Sequence, residues 1–205
     1  MDISLGAWER DYRGRGRLWG STTKGLPNLP EGSAVLELGC GDGKTLSAMA
    51  GRGWRIAALD TSAEALRLSC KAAPDASLLL ADVRRLPFQE GSFDAIFAFH
   101  VTGHLLQSDR ESAAAEAMRV LRNEGKLFLR EFEAEDMRSG KGEVVELRTF
   151  RRGRGMITHY FTEDEIAELF SGLKPLSVQL RRWMMRIEGK DMMRSEIEAI
   201  FQKAI

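Results

Sequence analysis

The sequence predicts an α/β fold: a doubly wound, mostly parallel sheet, closed by antiparallel strands from the C-terminal part, with helices on both faces. Three observations predict it. Residues 34–132 alternate short apolar runs with helix-like segments over short connections, and that alternation implies parallel strands joined by crossover helices. The first run, Ala34-Val35-Leu36-Glu37-Leu38, ends in Gly39, Gly41 and Gly43, a turn in which backbone can approach a ligand closely. Beyond residue 133 extended stretches follow one another directly, which favours antiparallel pairing.

A chain of 205 residues is long enough for one well-buried domain. It divides into an arm over 1–33, a ligand-binding core over 34–132, and a sheet-completing, substrate-side region over 133–205. Hydrophobic residues make up 43% and charged residues 29%, and 30 basic residues balance 30 acidic ones. A net charge of zero argues against a chain built mainly to coat nucleic acid. Two cysteines, Cys40 and Cys70, give no disulfide framework, so a reduced, cytoplasmic setting is expected. Three histidines and two cysteines show no ligand spacing, so no metal is expected. The first residues lack a basic, apolar leader, and no apolar run approaches the roughly 20 residues of a membrane span. Oligomeric state is not legible.

In order, the arm carries Trp8, Tyr12 and Trp19 among arginines and glycines, with a short helix at about 5–13. It reads either as a surface-hugging segment or as a lid whose aromatics cover a ligand. Val35–Leu38 is the first strand and Lys44–Ala50 the helix after it. Arg55–Leu59 is the second strand, ending at Asp60. Thr61, with Glu64 three residues on, predicts a capped helix start. Ser77–Leu80 and Phe93–Phe99 are the next strands, and His100–Leu106 is a loop. Ser108, with Glu111 three on, predicts another capped helix whose apolar face is Ala113, Ala114, Ala117, Met118 and Leu121, ended by Gly125. Lys126–Glu131 is the fifth strand. Glu143–Phe150 and Met156–Phe161 read as strands, Thr162 with Glu165 as a capping box, and Leu176–Ile187 as extended. Ser195 with Glu198 predicts a final helix ending near Lys203.

The glycine turn alone is a weak signal. A dinucleotide fingerprint needs its third glycine at position 44, which is Lys. A phosphate loop needs glycine at position 38, which is Leu. Glu37 would repel a pyrophosphate but can pair with a cationic ligand. Asp60 can accept two adjacent ribose hydroxyls or can serve as the acidic start of a helix. Asp82 can accept an adenine amino group, with the Val83 backbone serving the ring nitrogen, or can simply form a turn.

The conjunction Glu37–Gly43, Leu59-Asp60-Thr61-Ser62, Ala81-Asp82-Val83-Arg84-Arg85-Leu86-Pro87-Phe88 and Ser92–Phe97 resembles the motif series of class I S-adenosylmethionine-dependent methyltransferases of the small single-domain type. The resemblance is strong over about 34–132. It implies a seven-stranded sheet whose last strand runs antiparallel, and S-adenosyl-L-methionine as cofactor. It places Glu37, Gly39, Cys40, Gly41, Asp42 and Gly43 along the methionine part, Asp60 at the ribose and Thr61 and Ser62 beside the adenine. Asp82 and Val83 then bind the adenine edge, and Phe99 and His100 line the floor under the sulfonium. Asp94 reads as structural.

For chemistry the candidates are His100 and His104, in the loop beside the expected methyl site. His104 also fits a structural role at a helix start. His159 and Tyr160 read as packing, and Glu131 and Glu133 as solvated charge. The function implied is in-line methyl transfer to a small-molecule acceptor covered by Trp8, Tyr12 and Trp19. The alternatives are a cofactor-binding regulatory or partner subunit without transfer, or an RNA or protein methyltransferase. For these the arginines at 10, 13, 15, 17, 151, 152 and 154 are either an anion-attracting surface or solvated loops.

Overall fold

The structure, a computed structural model, describes residues 3–16, 23–153 and 155–205, with the backbone alone at 3–5. Helix α1 (Ile3–Arg15) leads into β1 (Ala34–Leu38), α2 (Lys44–Met49), β2 (Arg55–Asp60), α3 (Ala63–Ala72), β3 (Ser77–Leu80) and β4 (Phe93–Phe99). A single 3-10 turn (Thr102–His104) precedes α4 (Gln107–Val120) and β5 (Leu121–Phe132). Then come β6 (Glu143–Glu146), β7 (Thr149–Arg152), β8 (Met156–His159), α5 (Glu163–Leu169), β9 (Lys174–Ile187) and β10 (Lys190–Gln202).

Seven strands form one sheet in the order β3-β2-β1-β4-β5-β10-β9. The first five are mutually parallel and β10 runs antiparallel to both of its neighbours. Alternate residues of each central strand serve opposite faces. Leu36, Leu38, Ile96, Leu127 and Leu129 pack with α4 and α5 through Ala113, Ala117, Ile166 and Phe170. Val35, Ala58, Ala95, Phe97 and Phe128 pack with α2 through Leu46 and Met49 and with Leu66 of α3. Each large apolar side chain buried this way contributes about 1.5–3 kcal/mol. Asp94 is structural: it accepts a hydrogen bond from Ala34 N (2.7 Å) and pairs with Arg122 (2.6 Å).

The C-terminal third departs from the sequence reading in instructive ways. Residues 190–202 are a strand, not a helix. Ser195, Ile197, Ala199 and Phe201 are buried in alternation, and that period of two, paired to β5 and β9 along its length, overrides the local Ser-x-x-Glu spacing. Residues 143–150 split at Arg148 (φ 56°) into β6 and β7. With β8 these form a separate three-stranded antiparallel sheet rather than edges of the main one.

Three helix boundaries also move. Ser62, not Thr61, caps α3 by accepting from Ala65 N at 3.1 Å. Helix α4 starts before Ser108, and its first backbone N–H, on Gln107, is taken by the Glu146 carboxylate at 3.1 and 3.2 Å, so a tertiary partner replaces the local cap. That helix ends at Val120, and β5 begins before Gly125 because Leu121 already pairs with Phe93. The capping box Thr162–Glu165 is present as read.

Candidate functional site

The carboxyl ends of β1, β2, β3 and β4 surround a cavity of about 620 Å³, its mouth included. It is lined by Gly39, Leu59, Asp60, Thr61, Ala81, Asp82, Val83, His100, Val101, His104 and Leu105, and by Trp8 and Tyr12 of α1. This is where a doubly wound sheet reverses direction and leaves a crevice.

Chain geometry makes the floor. Gly39 (φ 63°) and Gly41 (φ 54°) adopt the left-handed backbone that glycine takes at no steric cost. A Cβ on Gly39 would lie 2.7 Å from Val101 Cγ2, and one on Gly41 would lie 2.5 Å from the Tyr12 hydroxyl oxygen. Asp60 holds the turn: Oδ2 accepts from Gly41 N and Oδ1 from Ser62 N, each at 2.9 Å. Burial pushes its pKa up, against those backbone hydrogen bonds. Each of its oxygens keeps acceptor capacity toward the cavity. Beneath the turn Glu37 is buried, and its Oε2 has no hydrogen-bond partner among the described residues. Burial raises its pKa to about 8, with Asp60 and Asp42 adding to the effect and a Thr45 hydrogen bond opposing it.

Helix α1 forms the roof. Glu9 Oε2 accepts from the Ser62 hydroxyl (2.6 Å) and from Glu64 N (3.1 Å), latching α1 to the start of α3. Trp8 packs edge-on against His104 (4.6 Å between ring centres) and beside Tyr12 (5.8 Å). The third aromatic, Trp19, lies outside the described residues, as do Arg17 and Arg154.

The loop after β4 carries the two histidines. His100 sits at φ 55°, an uncommon conformation for a side chain other than glycine that marks a held position. Its ring stacks on Phe132 at 4.2 Å, and its Nε2 lies 3.4 Å from Glu196. Its Nδ1 is buried without a hydrogen-bond partner among the described residues. His104 Nδ1 meets the Ile157 carbonyl at 2.7 Å. A carbonyl only accepts, so Nδ1 carries the proton and Nε2 is left as an acceptor. Burial lowers the pKa of His104 to about 4, which keeps the ring neutral.

Glu131, read from sequence as solvated charge, is buried and organises this loop. Its Oε1 accepts from Val101 N (3.1 Å), Thr102 N (2.8 Å), Thr102 Oγ1 (2.6 Å) and Gly103 N (3.2 Å). One signal was present: Glu131 is in phase with Leu127 and Leu129, the inward positions of β5. Glu9 had no comparable signal.

Other expected residues stand back from the cavity or are already engaged within the chain. Asp82 lines it, but Arg84 holds its carboxylate at 2.6 Å and bridges it to Asp109. Cys40 is buried beside Ser69, and Ser62 serves as helix cap and latch. Asp42 is buried, and Gly43 faces Ala72 of α3. Phe99 packs on the opposite sheet face against Phe97, under Arg130. His159 is buried against Thr149 (2.8 Å), in keeping with packing.

Residues 36–129 match the family described as a methyltransferase domain. The chain is 30% identical over 119 residues to a demethylmenaquinone methyltransferase from Beutenbergia cavernae, covering 58% of this chain and 49% of that protein. It is 28% identical over 175 residues to a tRNA N(3)-cytidine methyltransferase from Bos taurus, covering 77% and 46%. The chain therefore spans about half the length of the curated relatives it matches. A crystal structure of a SAM-dependent methyltransferase from Methanosarcina mazei superposes with a TM-score of 0.71 at 23% identity, covering 87% of this chain and 95% of that one.

Proposed function

From the premise that the chain carries a class I S-adenosylmethionine-dependent methyltransferase domain, we propose that it transfers a methyl group from S-adenosylmethionine to a small-molecule acceptor. One observation carries the cofactor assignment beyond family likeness: the buried, unpartnered Glu37 Oε2 under the glycine turn. A buried acceptor without a donor is costly, and a ligand ammonium is the group it lacks. The residues present fit the cofactor. Gly39 and Gly41 take its methionine part, Asp60 its ribose, and Thr61 and the Val83 backbone its adenine.

When bound, the cofactor's sulfonium supplies an activated methyl carbon. The chain's own work is then alignment and exclusion of water. Trp8 and Tyr12 close the roof, and the Glu9 latch sets how firmly. Glu131 fixes the 100–104 loop so that His100 and His104 face the acceptor. His104 Nε2, neutral and of fixed tautomer, accepts a hydrogen bond or a proton from an acceptor that must lose one.

The bovine relative's long alignment supports a second reading, an RNA acceptor. Against it, several surface arginines are paired with carboxylates, Arg148 with Glu165, Arg151 with Glu143 and Arg182 with Glu135. Among the described residues no helix is long and apolar enough to cross a membrane, which suits the cytoplasmic setting read from the sequence. Calorimetric titration with S-adenosylhomocysteine tests the proposal: saturable micromolar binding is expected, and no heat at near-millimolar ligand refutes it. Binding without transfer to metabolite, RNA or protein fractions would leave a regulatory subunit.

A further inference from the structure

Next to the cavity, at the end of β5, three guanidinium groups gather around the neighbouring rings of Phe132 and Tyr160. Arg138 lies 3.9 Å and Arg194 5.0 Å from the centre of the Phe132 ring, whose neighbour is the stacked His100. Arg152 Nη2 donates to the Tyr160 hydroxyl at 3.0 Å. Tyr160 is fully buried, and burial raises the pKa of its hydroxyl, with Asp136 adding to the effect and Arg152, Arg138 and Arg194 opposing it.

Asp136 has no capacity left to balance them. Its Oδ1 accepts from Arg138 N and Nε, both at 3.1 Å. Its Oδ2 accepts from Arg194 Nε (2.6 Å) and Ser195 N (3.1 Å). Arg138 Nη2 is buried with no partner among the described residues. Buried polar atoms are almost always satisfied, so an orphan on a cation, beside two further cations, marks the place of an absent anion. The place adjoins the methyl site, because Phe132, beneath Arg138, stacks on His100.

We propose that the methyl acceptor carries an oxyanion, a carboxylate or a phosphate, received by Arg138 Nη2 with Arg152 and Arg194 completing the positive field. This rests on the methyltransferase reading and narrows its substrate class. A guanidinium edge matches either oxyanion. A small acceptor suits the site better than a polymer, because Arg194 is buried and Arg138 Nη2 is enclosed, while surface arginines such as Arg148, Arg151 and Arg182 pair with carboxylates.

The test uses the full chain saturated with S-adenosylhomocysteine at constant ionic strength. Benzoate and phenyl phosphate are titrated by calorimetry, with benzamide as the neutral analogue. Saturable binding of one of the two anions, absent for benzamide, is expected, and the better of the two names the oxyanion. Arg138→Met should weaken it at least tenfold and leave S-adenosylhomocysteine affinity unchanged, with partial recovery in Arg138→Lys. Should Arg138→Met fail to fold, Arg152→Met, on the half-exposed β7, should still weaken the anion several-fold. Equal binding of benzamide, or unaltered anion binding in both methionine variants, overturns the proposal. So does displacement of the anion by a mixed-sequence single-stranded RNA that binds with steep salt dependence. Failure of S-adenosylhomocysteine itself to bind overturns the underlying methyltransferase reading instead.

Discussion

At the glycine turn and at the loop after β4, buried carboxylates meet backbone. Asp60 takes Gly41 N and Ser62 N, and nearby Glu131 takes three backbone N–H groups and a hydroxyl. On the β5–β10 side, charge meets charge: Arg138 and Arg194 share Asp136, and Arg152 leans on Tyr160. In the first arrangement the carboxylates Asp60 and Glu131 are hydrogen-bonded before any ligand arrives. The second is one anion short. The difference teaches where generic and particular recognition sit. The cofactor side is set mostly by backbone held on carboxylates, with Glu37 Oε2 left for a ligand, and the acceptor side by clustered side-chain charges.

The largest expected effect tests whether backbone satisfaction holds the first side together. Glu131→Ala strands three buried donors and a half-buried fourth, and after offset by the relief of a buried carboxylate it should cost about 3 kcal/mol of stability. Thermal melting measures it. Glu131→Gln, which keeps an acceptor, should recover much of the loss, and if both variants melt like the parent the loop does not depend on this clamp.

Next comes Asp60. Asp60→Ala removes the clamp on Gly41 and the proposed ribose acceptor together, and should weaken S-adenosylhomocysteine roughly thirtyfold, about 2 kcal/mol. Unchanged affinity in calorimetry would refute the ribose placement.

The smallest effect is in pH. In the free protein the pKa of Glu37 is raised to about 8, against about 4.3 unfolded. Its protonated form therefore favours the fold at low pH, and that contribution is lost as pH rises from about 4.5 to 8. A ligand ammonium favours the ionised form, so cofactor affinity should rise with pH across this window and level off above it. At pH 7 binding should release up to about one proton, read from calorimetry in buffers of different ionisation enthalpy. Glu37→Gln should abolish the release, and proton-neutral binding by the parent would sever Glu37 from the ammonium.

The core was legible because its signals are local. Each apolar run is a strand, and each acid at a strand end, Asp60 and Asp82, lies where expected. The Thr162–Glu165 box is a cap because both partners lie within one turn. The same local pattern misled at Ser195, where strand pairing on both sides outweighs three residues of helix-start spacing, and at Ser108, where Glu146 arrives from 39 residues away to cap α4.

The sequence by itself determined the strand–loop–helix order, the glycine turn and the acid that faces it, because backbone conformation and period-two or capping patterns are decided among neighbours. Only the tertiary structure decided what each charge does. Glu131 reaches Val101 across 30 residues, Glu9 reaches Ser62 across 53, and Arg194 reaches Asp136 across 58. Whether a carboxylate is solvated, clamped or shared, and whether a guanidinium is left waiting, depends on burial and on partners that only folding brings together.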